Sequence, residues 1–185
     1  MDNSQDGLLK VIEDLKEENR RLKEKLAELN PIDQLTGLYN RKALYDRLEY
    51  EVLRAERNQT FLSLLMLRIS EYEEMLQKNG RDMMEVVEKL MANSLKSSVR
   101  AVDILGRYGD GSFLILLPDI HANKGPVVAE RLKKLIEKEL QSTGVKVKFS
   151  SGAKLYEGQP VYELLEEVEK LTTLSEREGM GRTHR

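Results

Sequence analysis

The run RYGDGSF, Arg107 to Phe113, lies between the apolar stretches DILG and LILLP, the pattern of a hairpin closed by an Asp-Gly turn. It reads either as a plain turn or as what remains of a catalytic loop, and the local pattern leaves both open. Just upstream, Arg100 and Asp103 form an RxxD spacing, and Arg131 lies among basic residues in AERLKK. Taken alone these are ordinary surface residues that pair with nearby acids such as Glu130. The other reactive types are scarce. With no cysteine, a disulfide framework, a thiolate metal site and a cysteine nucleophile are excluded. The two histidines, His121 and His184, share no ligand spacing and read as loop histidines rather than a metal site. Met75, Met83, Met84 and Met91 fit a core-facing helix better than a cofactor box. No serine, histidine and aspartate grouping points to a hydrolase.

The elements that position these residues are legible from periodicity. A helix is expected from about Arg41 to Glu56, a strand over FLSLLMLRI, and a helix from about Glu71 to Ser98. The RYGDGSF hairpin follows, then a helix from about Lys124 to Leu140, a strand VKVKFSSGAKL, and a last helix from about Pro160 to Ser175. This order predicts an α/β (α+β) domain with a mixed central sheet flanked by helices, the hairpin making antiparallel pairs and the helical crossovers parallel ones.

At 185 residues and 40% hydrophobic content, the chain can bury one ordinary core and carry one accessory element. A formal net charge of -2 argues against general nucleic-acid binding, so an anionic ligand needs a local basic cluster. The N-terminal MDNSQDG is acidic and polar, and no apolar run approaches the roughly 18 residues of a membrane span. A cytoplasmic protein is expected.

The accessory element is residues 1–30. Leu8, Leu15, Leu22 and Leu29 stand seven apart, with Ile12, Asn19 and Leu26 four residues after the first three leucines. Leucine at d with one buried amide among the a positions specifies a parallel two-stranded coiled coil. The alternative is a single helix packing its leucines on its own domain. Acidic residues ahead of the seam argue against a DNA-binding zipper. Pro31 ends the helix and opens the domain of residues 31–185.

From Pro31 onward the chain resembles the GGDEF family, the diguanylate cyclases that join two GTP molecules into cyclic di-GMP, and their degenerate relatives. DQLTGLYNR at Asp33 to Arg41 matches the family's opening pattern DxLTGLxNR. RAVDILGRYGDGSFLILLPD matches its RxxDxxxRYGGDEF followed by an apolar strand, and FSSGA matches its SxG strand. The resemblance implies the nucleotide-cyclase-like fold. Position by position it does not imply the activity. The family's metal-binding DxD is here Arg68, Ile69 and Ser70. The signature GGDEF is Gly109, Asp110, Gly111, Ser112 and Phe113, so neither acidic position can offer magnesium a carboxylate. The family's phosphate-contacting lysines fall at Glu73 and Glu178, and its guanine- and ribose-reading residues at Leu76, Gln77 and Glu85. An inactive chain with no cofactor is expected. Arg68 could hold GTP without turnover; the plainer expectation is that it pairs with Glu73, Glu85 or Asp110.

The resemblance also implies a retained product-binding site, in which Arg100 and Asp103 and then Arg131 occupy the family's inhibitory RxxD positions. Arginine suits the O6 and N7 edge of guanine and aspartate accepts from its N1 and N2 hydrogens. The leading expectation is a coiled-coil homodimer that receives cyclic di-GMP and signals to a protein partner. The alternative is a protein-interaction scaffold that binds no nucleotide.

Overall fold

Leu62–Ile69 is apolar at nearly every position and buried along its length, as a strand covered on both faces must be. This strand, β1, is the centre of the computed structural model, which describes residues 10–21, 30–121, 124–178 and 183–184. The chain divides into Met1–Pro31 and Ile32–Arg185. In the first unit, residues 10–21 form a helix, α1, whose Ile12 and Leu15 are exposed and whose Asn19 donates its side-chain N–H to the Leu15 carbonyl at 3.2 Å. Leu8, Leu22, Leu26 and Leu29 of the expected seam lie outside the described residues.

In the second unit the helices are α2 (Arg41–Asn58), α3 (Tyr72–Asn79), α4 (Arg81–Ser98), α5 (Gly125–Leu140) and α6 (Val161–Arg177). The remaining strands are β2 (Ile104–Gly109), β3 (Ser112–Pro118), β4 (Phe149–Leu155) and β5 (Thr183–His184), in sheet order β2-β3-β1-β4-β5. Alternate β1 residues feed two cores. Leu65, Leu67 and Ile69 meet Met84, Val87 and Met91 of α4 and Leu132 and Ile136 of α5. Leu64 and Met66 meet Leu44 and Leu48 of α2 and Leu164 and Val168 of α6. The sheet is therefore sandwiched between α2 with α6 and α4 with α5.

The sheet is mixed, but the expected parallel pairing is confined to β4 and β5, at Ser151 with Thr183 and Gly152 with His184. Elsewhere β1 pairs antiparallel with both β3 and β4. The helical crossovers do return β2 parallel to β1 and β4 parallel to β3, yet in each case another strand lies between them. This is the split βαβ arrangement. Two further expectations need correction. The single helix from Glu71 to Ser98 is broken at Gly80, whose φ of +80° no helix accommodates. The strand expected over VKVKFSSGAKL begins only at Phe149, where β1 becomes available to pair.

Candidate nucleotide site

The hairpin turn is Asp110-Gly111, with Gly109 paired to Ser112 across it and Gly111 at φ +61°. A Cβ on Gly111 would meet Cδ2 of Tyr72 at 2.4 Å and Cε2 at 2.9 Å. The Tyr72 ring therefore occupies the space into which a side chain at this position would emerge. Its hydroxyl donates to Glu88 at 2.7 Å, and burial together with that bond raises the phenol well above its ordinary range.

Glu88 is almost wholly buried and also accepts from Arg107 Nε at 2.7 Å. Arg107 further donates to Asp110 at 2.7 Å and lies 3.6 Å from Asp33. Burial alone would lower the arginine, but Glu88, Asp33 and Asp110 together hold it charged, above its ordinary value. Asp33 also accepts from the Thr36 backbone and hydroxyl at 2.9 and 2.6 Å, so the DQLT turn is tied to the hairpin through one guanidinium. Asp110 thus turns aside to Arg107 rather than crowding the turn.

Leu76, Glu85 and Asp110 come together, with Tyr72, Arg81 and Glu88, around a recess of about 220 Å³. Phe113 is fully buried beneath it. Glu73 is exposed on the first turn of α3, and Glu178 lies just beyond α6.

Arg68 and Ser112 face each other across β1 and β3. The guanidinium donates to Ser112 Oγ at 3.2 Å and Thr173 Oγ1 at 3.4 Å and lies 3.9 Å from Glu176. The expected partners Glu73, Glu85 and Asp110 are replaced by residues of α6, because Arg68 alternates with Leu67 and Ile69 and so faces the other helix layer. Glu176 also accepts the Glu71 N–H at 2.8 Å, at a residue held at φ +56°. The donor set left by Arg68, Ser70, Gly111 and Ser112 is one cation, one glycine and two hydroxyls, which does not fit a magnesium ion. Among the described residues no group of three or more His, Cys, Asp or Glu side chains could hold a metal.

At the open end of the hairpin, away from its turn, Asp103 is nearly buried and Arg100 grips it. Its guanidinium donates at 3.1 and 2.6 Å to Asp103 Oδ1, its backbone N–H donates to Oδ2 at 2.8 Å, and its NH2 group also reaches the Pro118 carbonyl at 2.9 Å. The Asp103 bond outweighs burial and raises the arginine above its ordinary value. Arg131 does not pair with Glu130, which takes Lys133 at 3.2 Å. It reaches from α5 to the Ser98 carbonyl at 3.1 Å, two residues ahead of Arg100. The fold thus brings Arg100, Asp103 and Arg131 to the C-terminal end of α4.

Sequence reasoning missed Tyr72, Glu88 and Glu176. Tyr72 had only the signal of an aromatic side chain at the start of a predicted helix. Glu88 sits in an ordinary amphipathic helix and had none.

A family profile described as "Diguanylate cyclase, GGDEF domain" matches residues 30–182. Diguanylate cyclase DosC of Escherichia coli (strain K12) is 28% identical over 156 residues, 82% of this chain, and the chain spans about a third (34%) of that protein's length. The GGDEF domain of DgcB from Caulobacter crescentus, solved in complex with c-di-GMP, superposes with a TM-score of 0.72 at 22% identity, covering 83% of this chain and 94% of that one. Diguanylate cyclase SiaD from Pseudomonas aeruginosa, solved with its activator SiaC, gives a TM-score of 0.72 at 22% identity, covering 99% of this chain and 72% of that one. No helix among the described residues is long and apolar enough to cross a membrane.

Proposed function

The chain belongs to the GGDEF diguanylate cyclase domain family, and from that premise we propose that it is a non-catalytic member that receives cyclic di-GMP. The observation carrying this reading is an asymmetry between the two ends of the β2–β3 hairpin. Around the hairpin, Arg68, Gly111 and Ser112 stand where magnesium needs carboxylates, and the Tyr72 ring fills the space beside Gly111. Phosphoryl transfer with no metal to neutralise developing charge loses the largest source of transition-state stabilisation. At the end of α4, by contrast, Arg100, Asp103 and Arg131 are all present and gathered.

Binding requires Arg100 to release Asp103, freeing the carboxylate for guanine N1 and N2 hydrogens and the guanidinium for O6 and N7. The DgcB domain complexed with c-di-GMP, similar in fold, supports this ligand class. The exposed Ile12 and Leu15 of α1 support dimerisation through the seam of residues 1–30. In such a dimer a ligand bridging the two domains gains effective concentration. SiaD bound to its activator supports a protein partner as the readout. Cytoplasmic action accords with a family whose substrate and product are nucleotides.

Calorimetry on the full chain with cyclic di-GMP tests the receptor role. The native protein binds at micromolar ligand, and Arg100→Ala and Asp103→Ala do not; a native protein that gives no heat of binding would sink it. Incubation with GTP and magnesium yields no cyclic dinucleotide, and product formation would refute the non-catalytic assignment.

One observation favours a scaffold that binds no nucleotide. The Arg100 and Asp103 side chains already satisfy each other, and Arg131 is spent on a backbone carbonyl. The same titration decides between the two readings. Retention of GTP by Arg68 is the weakest reading, because that guanidinium is held by Ser112, Thr173 and Glu176.

A further inference from the structure

We propose that the recess beside the RxxD turn is a second part of the same ligand site, with Lys96 as its phosphate contact; this rests on the cyclic di-GMP reading above. The recess, of about 330 Å³, is lined by residues that include Ile32, Lys96, Val99, Arg100, Asp103 and Leu105. Its wall is apolar where Ile32, Val99 and Leu105 meet, and charged where α4 ends. Lys96 is in the last turn of α4, exposed, and has no ion-pair or hydrogen-bond partner among the described residues.

A cation in a last turn gains from the helix dipole without any ligand, so Lys96 alone carries little. Its surroundings carry the inference. Arg100 spends its donors on Asp103 and Pro118, and Arg131 spends one on Ser98. Lys96, Arg100 and the Arg131 contact at Ser98 thus all fall in the last turn of α4 or just after it, where Asp103 is the carboxylate that Arg100 holds. Asp119 also acts on Arg100, and Arg54, 4.0 Å from it, is itself held by Glu51 at 2.9 Å, so three cations stand against two carboxylates. The surplus positive charge complements the pair of phosphodiesters in a cyclic dinucleotide, and the apolar wall suits a purine face.

Lys96 is the cation available before Arg100 opens. An ammonium on a flexible stem meets a phosphate oxygen as a point charge, without the fixed fork geometry an arginine imposes. Lys96 would therefore hold the phosphate while Arg100 exchanges Asp103 for the guanine edge.

The test is calorimetry of the full chain with cyclic di-GMP over a range of salt. Lys96→Ala binds about five- to tenfold more weakly, and its affinity falls less steeply with salt. Lys96→Glu binds more weakly still, Lys96→Arg regains affinity to within about twofold, and Lys170→Glu, in the opposite helix layer, binds like the native chain. Melting temperatures without ligand stay unchanged across the series. If Lys96→Glu binds like the native protein while Arg100→Ala does not, the recess proposal is overturned and the receptor reading stands. The proposal is also overturned if Lys96→Arg fails to restore binding, since the loss then lies in packing rather than charge. If the native chain does not bind, both fall together.

Discussion

Gly111 is held by two constraints that a side chain would violate. Its φ of +61° favours glycine, and the Tyr72 ring lies 2.4 Å from where a Cβ would stand. Gly111→Ala therefore lowers stability by about 1–3 kcal/mol. Tyr72→Ala costs stability on its own, through lost packing and the lost bond to Glu88, but the double variant costs less than the sum of the two. Urea denaturation of the four chains measures that coupling, and strict additivity would show that ring and turn do not contend for one space. An acid placed at position 111 thus meets a steric obstacle. That glycine and serine, not acids, stand at positions 111 and 112 was legible in the sequence. The obstacle was not, because Tyr72 comes from another element and only the packing of α3 on the hairpin brings it there.

Between elements, β4 and α6 approach closely, backbone against backbone. A Cβ on Gly152 would lie 2.6 Å from the Thr172 nitrogen and 2.7 Å from the Val168 carbonyl, and backbone cannot swing aside as a flexible side chain can. Gly152→Ala is expected to cost about 2 kcal/mol or more, read as a lowered denaturation midpoint with an unchanged slope; a neutral substitution would mean that the helix yields. The helices and strands were readable because their apolar periodicity is a local property of the chain. Strand partners were not. The crossovers predicted parallel strands correctly in direction, but which strand is inserted between them depends on where β1 finds its two edges covered. Gly80 was visible as a glycine, yet only its φ of +80° turns one expected helix into two.

For the whole molecule the question is assembly. The seam from Leu8 to Leu29 predicts a parallel dimer with Asn19 setting register. Sedimentation of the native chain is expected to give a dimer, and Asn19→Val to broaden it into higher or mixed oligomers; a native monomer at all concentrations would refute the coil. In the single chain the Asn19 amide turns to its own helix at Leu15, so a partner must compete for it. Ligand bridging two domains can shift such a dimer only if one arrangement binds it better than another.

What the sequence determined by itself was local: the alternation of helices and strands, the hairpin at RYGDGSF, the family, and the presence of Arg68, Gly111 and Ser112 at the positions on which the non-catalytic proposal rests. What only the tertiary structure decided was partnership. Arg68 faces α6 and Glu176 rather than Glu73, Glu85 or Asp110. Asp110 and Glu88 both bind Arg107, Arg131 reaches Ser98, and Lys96 lines a recess without a partner among the described residues. Periodicity is written in neighbouring residues and needs no more than the chain. A long charged side chain takes its partner from whichever element the fold lays against it, and that choice is made across sequence separations that no local pattern records.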